Sequence, residues 1–491
     1  MPPLVPDSAL ELPGVRVRSI GVAGQVDAVP LDAGGGRGDV RDLDEELGRV
    51  GVPDDGARAL ARAVTEQDMR AVLVVPLDDL ATLPGAGADR GVDEGPSIEL
   101  TVDAPADDEA QVVLEIDAAG VVSWHWAAAD GATGDRGGLE QVFHIPVRQT
   151  DVPGEDLDHP GDRALFGIGT KKLLQVLRYP IERAAAAGGR ALITRWEDRA
   201  RPYRLRRIDG GEPDLAALAG RPALLLVHGT FSTCASGFDG LLKDAAFVAE
   251  MQTRYAGGVL LFDHPSLHVD PTANARWLLE QLPPDTDLAF DVVAHSRGGL
   301  VARALASGPL AADAGRRPPA LRNVLHVATP NAGTVLADTE RWGKLLDTVT
   351  NLLMLFPDDT VSVPLTAVVE TVKHIGTGIA GGLDGLAAMV PHSHWLSALG
   401  PPAVAGHAYS IASNFDPVSA PLPVRALNVL VDPFFGEDND LVVPTKGVST
   451  AAGLTVEDTL VLPQTPAVAH TTYFRDEEVR AAVANWLPRS D

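Results

Sequence analysis

The chain has 491 residues and a single cysteine, Cys234. One thiol excludes an internal disulfide framework and any zinc or iron–sulfur site built from several cysteines. Basic charge is also scarce, with 40 Lys and Arg against 67 Asp and Glu and a formal net charge of −27. A chain this acidic is repelled by nucleic acid and by anionic membrane surfaces, so neither is expected as a partner. No uninterrupted apolar run reaches the roughly 18 residues of a membrane helix. The first residues show no basic segment followed by an apolar core, so no signal peptide is read there. A cytoplasmic protein is expected, and leaderless export stays open.

What is present is unevenly distributed. Residues 1–160 carry 32 acidic and 11 basic groups, whereas residues 161–208 reverse the sign with 12 basic and 4 acidic; residues 209–491 hold 31 acidic and 17 basic. These shifts suggest three parts: an acidic N-terminal domain of unknown role (1–160), a basic connector (161–208) and a larger domain (209–491). The N-terminal part reads as β-rich. Residues 98–102 alternate apolar and polar, and 112–116 and 121–126 flank a hairpin turn at Asp117-Ala118-Ala119-Gly120. Residues 143–147 read as an edge strand because Pro146 has no amide to donate. Residues 57–64 read as helix and 71–75 as strand. Within the basic stretch, 171–182 has helical spacing and 203–207 looks extended, and docking of this connector on the acidic domain is one expectation.

The glycine-rich run Gly34-Gly35-Gly36-Arg37-Gly38 lacks the Lys-Ser/Thr of a phosphate-binding loop, so it reads as a surface loop. The tripeptide Arg37-Gly38-Asp39 is treated as coincidence.

From Pro222 onward short apolar runs at 223–227, 259–262, 288–293, 324–327, 408–411 and 459–462 alternate with helical segments such as 273–281 and 299–306. Such alternation predicts an α/β domain, a mostly parallel sheet covered by helices on both faces. No internal repeat is visible.

The strongest chemical signal is Ala294-His295-Ser296-Arg297-Gly298-Gly299, entered from an apolar strand and left into a helix. In such a turn a serine hydroxyl projects above the sheet edge, and the residues two before and two after it pass so closely that both must be small. Ala294 and Gly298 meet that demand. A nucleophilic serine needs an oxyanion hole. The amide of Arg297 and that of Thr230, in Val227-His228-Gly229-Thr230-Phe231, are its two expected donors.

Together with Ala328-Thr329-Pro330-Asn331-Ala332-Gly333, Asn439-Asp440-Leu441-Val442-Val443-Pro444 and Ala469-His470-Thr471-Thr472-Tyr473-Phe474, these segments make residues 218–491 resemble the α/β-hydrolase superfamily, in its bacterial lipase and esterase branch with Ala-x-Ser-x-Gly. The resemblance implies an α/β-hydrolase fold and the chain order serine, acid, histidine. Ser296 is then the nucleophile and His470, the one histidine after Asp440, the base. Asp440 takes the acid position of the lipase segment, although Leu441 stands where that segment has glycine. Asp438 and Asp416 are its rivals. His295 reads as structural, and His392 with His394 as no metal site.

Between 327 and 408 lies an insertion, about 335–400. Trp342, Leu345, Leu346, Val349, Leu352, Leu353 and Phe356 recur at helical spacing, and 368–390 is apolar and glycine-rich. In the resemblance such an insertion caps the active site, as a mobile lid or as fixed core. The expected function is hydrolysis of carboxylic esters with apolar acyl groups, glycerides or polyesters among them, without metal or organic cofactor. Amide or thioester hydrolysis and acyl transfer use the same triad. A partner-binding scaffold with an incidental hydrolase domain is the remaining alternative.

Overall fold

The computed structural model describes residues 1–31, 41–82, 95–128, 140–147, 171–181, 190–377, 382–399, 404–451 and 453–488. The glycine-rich run at 34–38 lies outside them. The chain forms two compact units. The first comprises Met1–Gly189, Leu346–Ala380 and Pro417–Leu430; the second comprises Arg190–Leu345, Gly381–Asp416 and Val431–Asp491. Among the described residues no helix is long and apolar enough to cross a membrane.

The first unit contains two antiparallel sheets. Its strands are β1 (Pro3–Leu4), β2 (Ala9–Leu12), β3 (Val15–Ile20), β4 (Val22–Val26), β5 (Val29–Pro30), β6 (Arg70–Thr82), β7 (Ser97–Asp103), β8 (Glu109–Asp117), β9 (Val122–His125), β10 (Glu140–Pro146) and β11 (Lys172–Pro180). One sheet runs β1-β4-β6-β11-β8-β9 with β5 on β6, the other β10-β7-β3-β2. Val17, Leu100 and Phe143 of the smaller sheet share a core with Val75, Val113 and Leu174 of the larger. The hairpin forms as expected: Gly120, at φ +80°, donates its amide to the Asp117 carbonyl. Pro146 does end an edge strand.

Two expectations fail in this unit, and they share a cause. The helix expected over 171–182 is replaced by a strand, because Lys172–Pro180 lies centrally between β6 and β8. A strand buried on both faces loses its alternation, and Leu173, Leu174, Val176 and Leu177 satisfy helical spacing equally well. The basic stretch 161–208 is therefore not a connector docked on an acidic domain. Its strand lies inside the first unit's sheet, where Lys172 pairs with buried Glu115, and the second unit opens only at Arg190.

The insertion is also divided. Its amphipathic helix exists, as Trp342–Leu355, and a second helix spans Ser362–Gly376. Residues 346–380, however, cluster with the N-terminal residues rather than with the 209–491 domain expected to carry them. The outer edge of β9 explains why. The Val122 amide donates to Asn351 Oδ1 (2.8 Å), Asn351 Nδ2 donates to the Val122 carbonyl (2.7 Å), and the Trp124 amide donates to Asp347 Oδ1 (2.8 Å). An exposed strand edge invites unwanted pairing, and side chains of a helix close this one. Asp54–Glu66 packs on Ser362–Gly376. It also meets Trp342–Leu355 at Gly56, where a Cβ would stand 2.0 Å from the Met354 carbonyl oxygen.

Asn351→Ala is expected to leave both backbone groups of Val122 buried and unpaired. At about 1–3 kcal/mol for each orphaned group, the urea midpoint should drop clearly. Asn351→Asp keeps the acceptor and should lose less.

The second unit carries the parallel sheet, formed by β12 (Arg204–Arg207), β13 (Ala223–Val227), β14 (Val259–Asp263), β15 (Ala289–His295), β16 (Ala320–Val327), β17 (Val404–Phe415) and β18 (Asp458–Thr465). Their order is β12-β14-β13-β15-β16-β17-β18, with only β12 antiparallel. The strands expected from the apolar runs all appear, in an α/β arrangement. From β13 the chain moves outward to β14 and then crosses back to β15, so the strand order reverses between β13 and β15. In an open parallel sheet the carboxyl ends of the strands at such a reversal are the usual place for a ligand.

Candidate active site

Ser296 follows β15 at that reversal. Its φ of +53° is left-handed, a conformation that non-glycine residues rarely hold. The turn is fixed by the Ser296 amide donating to the Val327 carbonyl (2.8 Å) and by helix Gly298–Leu305 beginning at once. The demand for small neighbours is visible in space. A Cβ on Gly298 would stand 2.2 Å from the Val227 carbonyl oxygen, and one on Gly229 would stand 2.7 Å from Ser296 Cβ.

His470 reaches Ser296 from the loop after β18. Its Nε2 lies 2.9 Å from Ser296 Oγ and its Nδ1 lies 2.9 Å from Asp440 Oδ2. Asp440 is held from several directions. Its Oδ1 accepts the amides of Val442 (3.0 Å) and Val443 (2.7 Å), and its carbonyl accepts the His470 amide (3.0 Å). Asp438 is exposed, and Asp416 sits at the end of β17 with its amide on the Thr465 carbonyl. The carboxylate on the His470 ring belongs to Asp440. Leu441, where the resembling segment has glycine, adopts φ +76° with its side chain fully buried.

The Thr230 and Arg297 amides donate no hydrogen bond to any described residue. The loop that carries Thr230 is shaped by His228. The His264 amide donates to His228 Nε2 (3.1 Å), which leaves Nδ1 to donate to the Gly229 carbonyl (2.8 Å). Burial holds His228 down at about 4, so the ring is neutral near pH 7. Phe231 (φ +60°) and Ala328 (φ +53°) join Ser296 and Leu441 in left-handed geometry. Four such residues at the carboxyl ends of the strands and in the acid's loop store strain where active sites commonly store it.

Four further side chains contribute through contacts that no motif announced. Tyr473 Oη donates to Asp440 Oδ2 (3.0 Å), three residues beyond His470. The fully buried Arg297 side chain donates from Nε to the Gly385 carbonyl (3.1 Å) and from Nη2 to Asn274 Oδ1 (2.8 Å). Glu197 accepts the amides of Ser266 (2.6 Å), Leu267 (2.9 Å) and His268 (3.0 Å), anchoring the loop after β14. His295, read as structural, donates from Nε2 to the His470 carbonyl (3.0 Å) and so supports the histidine loop. Only the serine's flanking glycines and the chain order had a local signature; these contacts join segments far apart in sequence. His392 is exposed, and no group of three or more metal-ligating side chains occurs among the described residues.

As a device the arrangement can move a proton from Ser296 Oγ to His470 Nε2. The paired Asp440 holds the Nδ1–H tautomer and stabilises the ring once charged.

Burial depresses four histidines in this unit: His228 to about 4, His295 and His326 to about 3, and His264 well below its ordinary value. Below about pH 6.5 the unfolded chain protonates them while the folded one does not. The unfolded state then binds more protons, so stability falls with pH, by up to about 1.4 kcal/mol per unit for each histidine. Urea midpoints are therefore expected to drop steeply from pH 6.5 to 4.5. A flat or rising midpoint would contradict the neutral buried rings.

The family described as a domain of unknown function (DUF7379) matches residues 193–488, more than half of the chain. No curated protein matches. Among solved structures the chain is similar to a membrane phospholipase A described as a bacterial virulence factor, with 15% identity over 62% of this chain and 94% of that one and a TM-score of 0.30. It is similar also to a thermophilic esterase (13%, 54% and 89%, TM-score 0.31) and to the enol-lactonase from Burkholderia xenovorans LB400 (17%, 58% and 95%, TM-score 0.31). At such identities and scores the likeness says nothing about activity.

Proposed function

We propose that this chain, which belongs to the DUF7379 family, is a serine hydrolase of carboxylic esters with an α/β-hydrolase catalytic unit. One observation carries the reading: the Ser296–His470–Asp440 hydrogen-bond chain stands at the reversal of strand order beside two amides with no partner among the described residues. Ser296 Oγ attacks the ester carbonyl as His470 Nε2 takes its proton. The Thr230 and Arg297 amides hold the oxyanion, and the protonated His470 returns the proton to the departing alkoxide. Water then attacks the acyl-enzyme carbonyl as His470 Nε2 takes its proton, and the proton passes to Ser296 Oγ as the carboxylic acid leaves. These side chains and amides suffice for this chemistry, and no step calls on a bound cofactor.

An apolar acyl substrate fits the surroundings, since Met389 and Phe231 lie near the proposed oxyanion loop and both are buried. The test is labelling of the full-length protein by a fluorophosphonate probe, with the modified residue located by mass spectrometry. Modification of Ser296, together with turnover of a p-nitrophenyl acyl ester, is the expected result. A protein that neither labels nor turns over such esters overturns the reading.

A further inference from the structure

Residues 383–391 pack on the segments that carry Leu267, Arg297, Thr334 and Thr230, all of the second unit. At one end the Gly385 amide donates to the Leu267 carbonyl (2.8 Å), and the Gly385 carbonyl accepts Arg297 Nε (3.1 Å). A Cβ on Gly385 would stand 2.1 Å from the Ser266 carbonyl oxygen, so the two backbones touch directly. The loop beneath is itself pinned by Glu197 through three amides. At the other end the Met389 carbonyl accepts the Thr334 amide (2.8 Å). Gly333, at φ +92°, packs so closely that a Cβ there would stand 2.7 Å from Pro391 Cα. Between these anchors Met389 is 5% exposed and brings Sδ to 3.8 Å from Thr230 Oγ1.

A segment tied by backbone hydrogen bonds at both ends, over glycines that admit no side chain, is a fixed wall rather than a hinged flap. We infer that Met389 is the side chain of this wall that decides which acyl groups the site accepts. The inference rests on the ester-hydrolase reading. In that chemistry the leaving alcohol must sit at His470 Nε2, because its proton comes from there. The carbonyl oxygen sits on the Thr230 and Arg297 amides. The remaining substituent of the carbonyl carbon, the acyl chain, is left to the surface bordering the Thr230 side, and Met389 occupies that surface. Methionine is unbranched and polarisable, so it packs against straight apolar chains and limits their bulk.

The experiment compares full-length wild type with Met389→Ala and Met389→Phe. Two substrate series are used: p-nitrophenyl esters from acetyl to octanoyl with one α-branched acyl group, and acetates of increasingly large alcohols. Thermal melts and fluorophosphonate labelling accompany each variant, so that a misfolded one is recognised and the other carries the result. In Met389→Ala the kcat/KM ratio of the branched or longest acyl ester to the acetyl ester is expected to rise about tenfold or more, the scale at which apolar pockets discriminate. In Met389→Phe it should fall by a similar factor. The alcohol series should stay within about twofold in both. Unchanged acyl ratios in a labelled, folded variant overturn the inference, as does a change confined to the alcohol series. A wild type that neither labels nor turns over esters overturns the hydrolase reading and this inference with it.

Discussion

Ser296→Ala is expected to lower kcat/KM toward a p-nitrophenyl acyl ester by roughly 10⁵–10⁶-fold, and His470→Ala by a similar factor. The size follows from how the three side chains are joined. Ser296 Oγ is a useful nucleophile only while His470 Nε2, 2.9 Å away, can take its proton. The imidazole presents that nitrogen only because Asp440 fixes the opposite one. Groups acting as a unit give non-additive losses, so the double variant Ser296→Ala/His470→Ala should be no slower than either single one. Asp440→Asn should cost about 10⁴-fold, since an amide in that place favours the wrong tautomer. Residual turnover well above the uncatalysed rate should survive in all of them, because the Thr230 and Arg297 amides remain. Full activity in Ser296→Ala would sink the mechanism. Losses that simply add in the double variant would show that the two residues act separately.

A chain beginning at Arg190 is expected not to accumulate as a soluble, cooperatively folding protein, although it contains every residue proposed for catalysis. The reason lies in residues 346–380, which belong to the first unit. Without residues 1–189, Leu352, Met354, Val368 and Val372, all nearly or fully buried, would be stripped of their surroundings. Asn351 and Asp347 would lose the strand edge they close, and Gly56 and Tyr179 would no longer meet Met354 and Gly376. Apolar surface of that extent on two adjacent helices drives aggregation rather than a stable monomer. Supplying residues 1–189 as a separate chain during expression should restore soluble protein. A truncated chain that melts cooperatively and labels with fluorophosphonate like the full one would refute this account.

The same contrast marks what could be read along the chain. Strands β13 to β16 were legible because each is a short apolar run bounded by turn signals, and a parallel sheet needs nothing more to be recognised. Strand β11 was not, because Leu173, Leu174, Val176 and Leu177 suit a helix as well as a buried strand, and only its neighbours β6 and β8 decide. At the site, Ser296 and Gly298 announce themselves by local sterics. Tyr473 beside Asp440, and the Arg297 guanidinium on Gly385, have no such pattern, since each joins segments tens of residues apart.

By itself, then, the sequence determined what depends on short-range geometry: the turn at Ser296, the strands that make up a mostly parallel sheet, and a shortlist of one serine, one late histidine and three acidic candidates. Only the tertiary structure decided which carboxylate meets His470, that the insertion's two long helices complete the N-terminal sheets, and that Met389 stands against Thr230. Local sterics act through a few bonds and leave a mark on neighbouring residues. Pairing and packing between distant segments are settled by the burial and hydrogen bonding of the whole fold, which no single window of the chain contains.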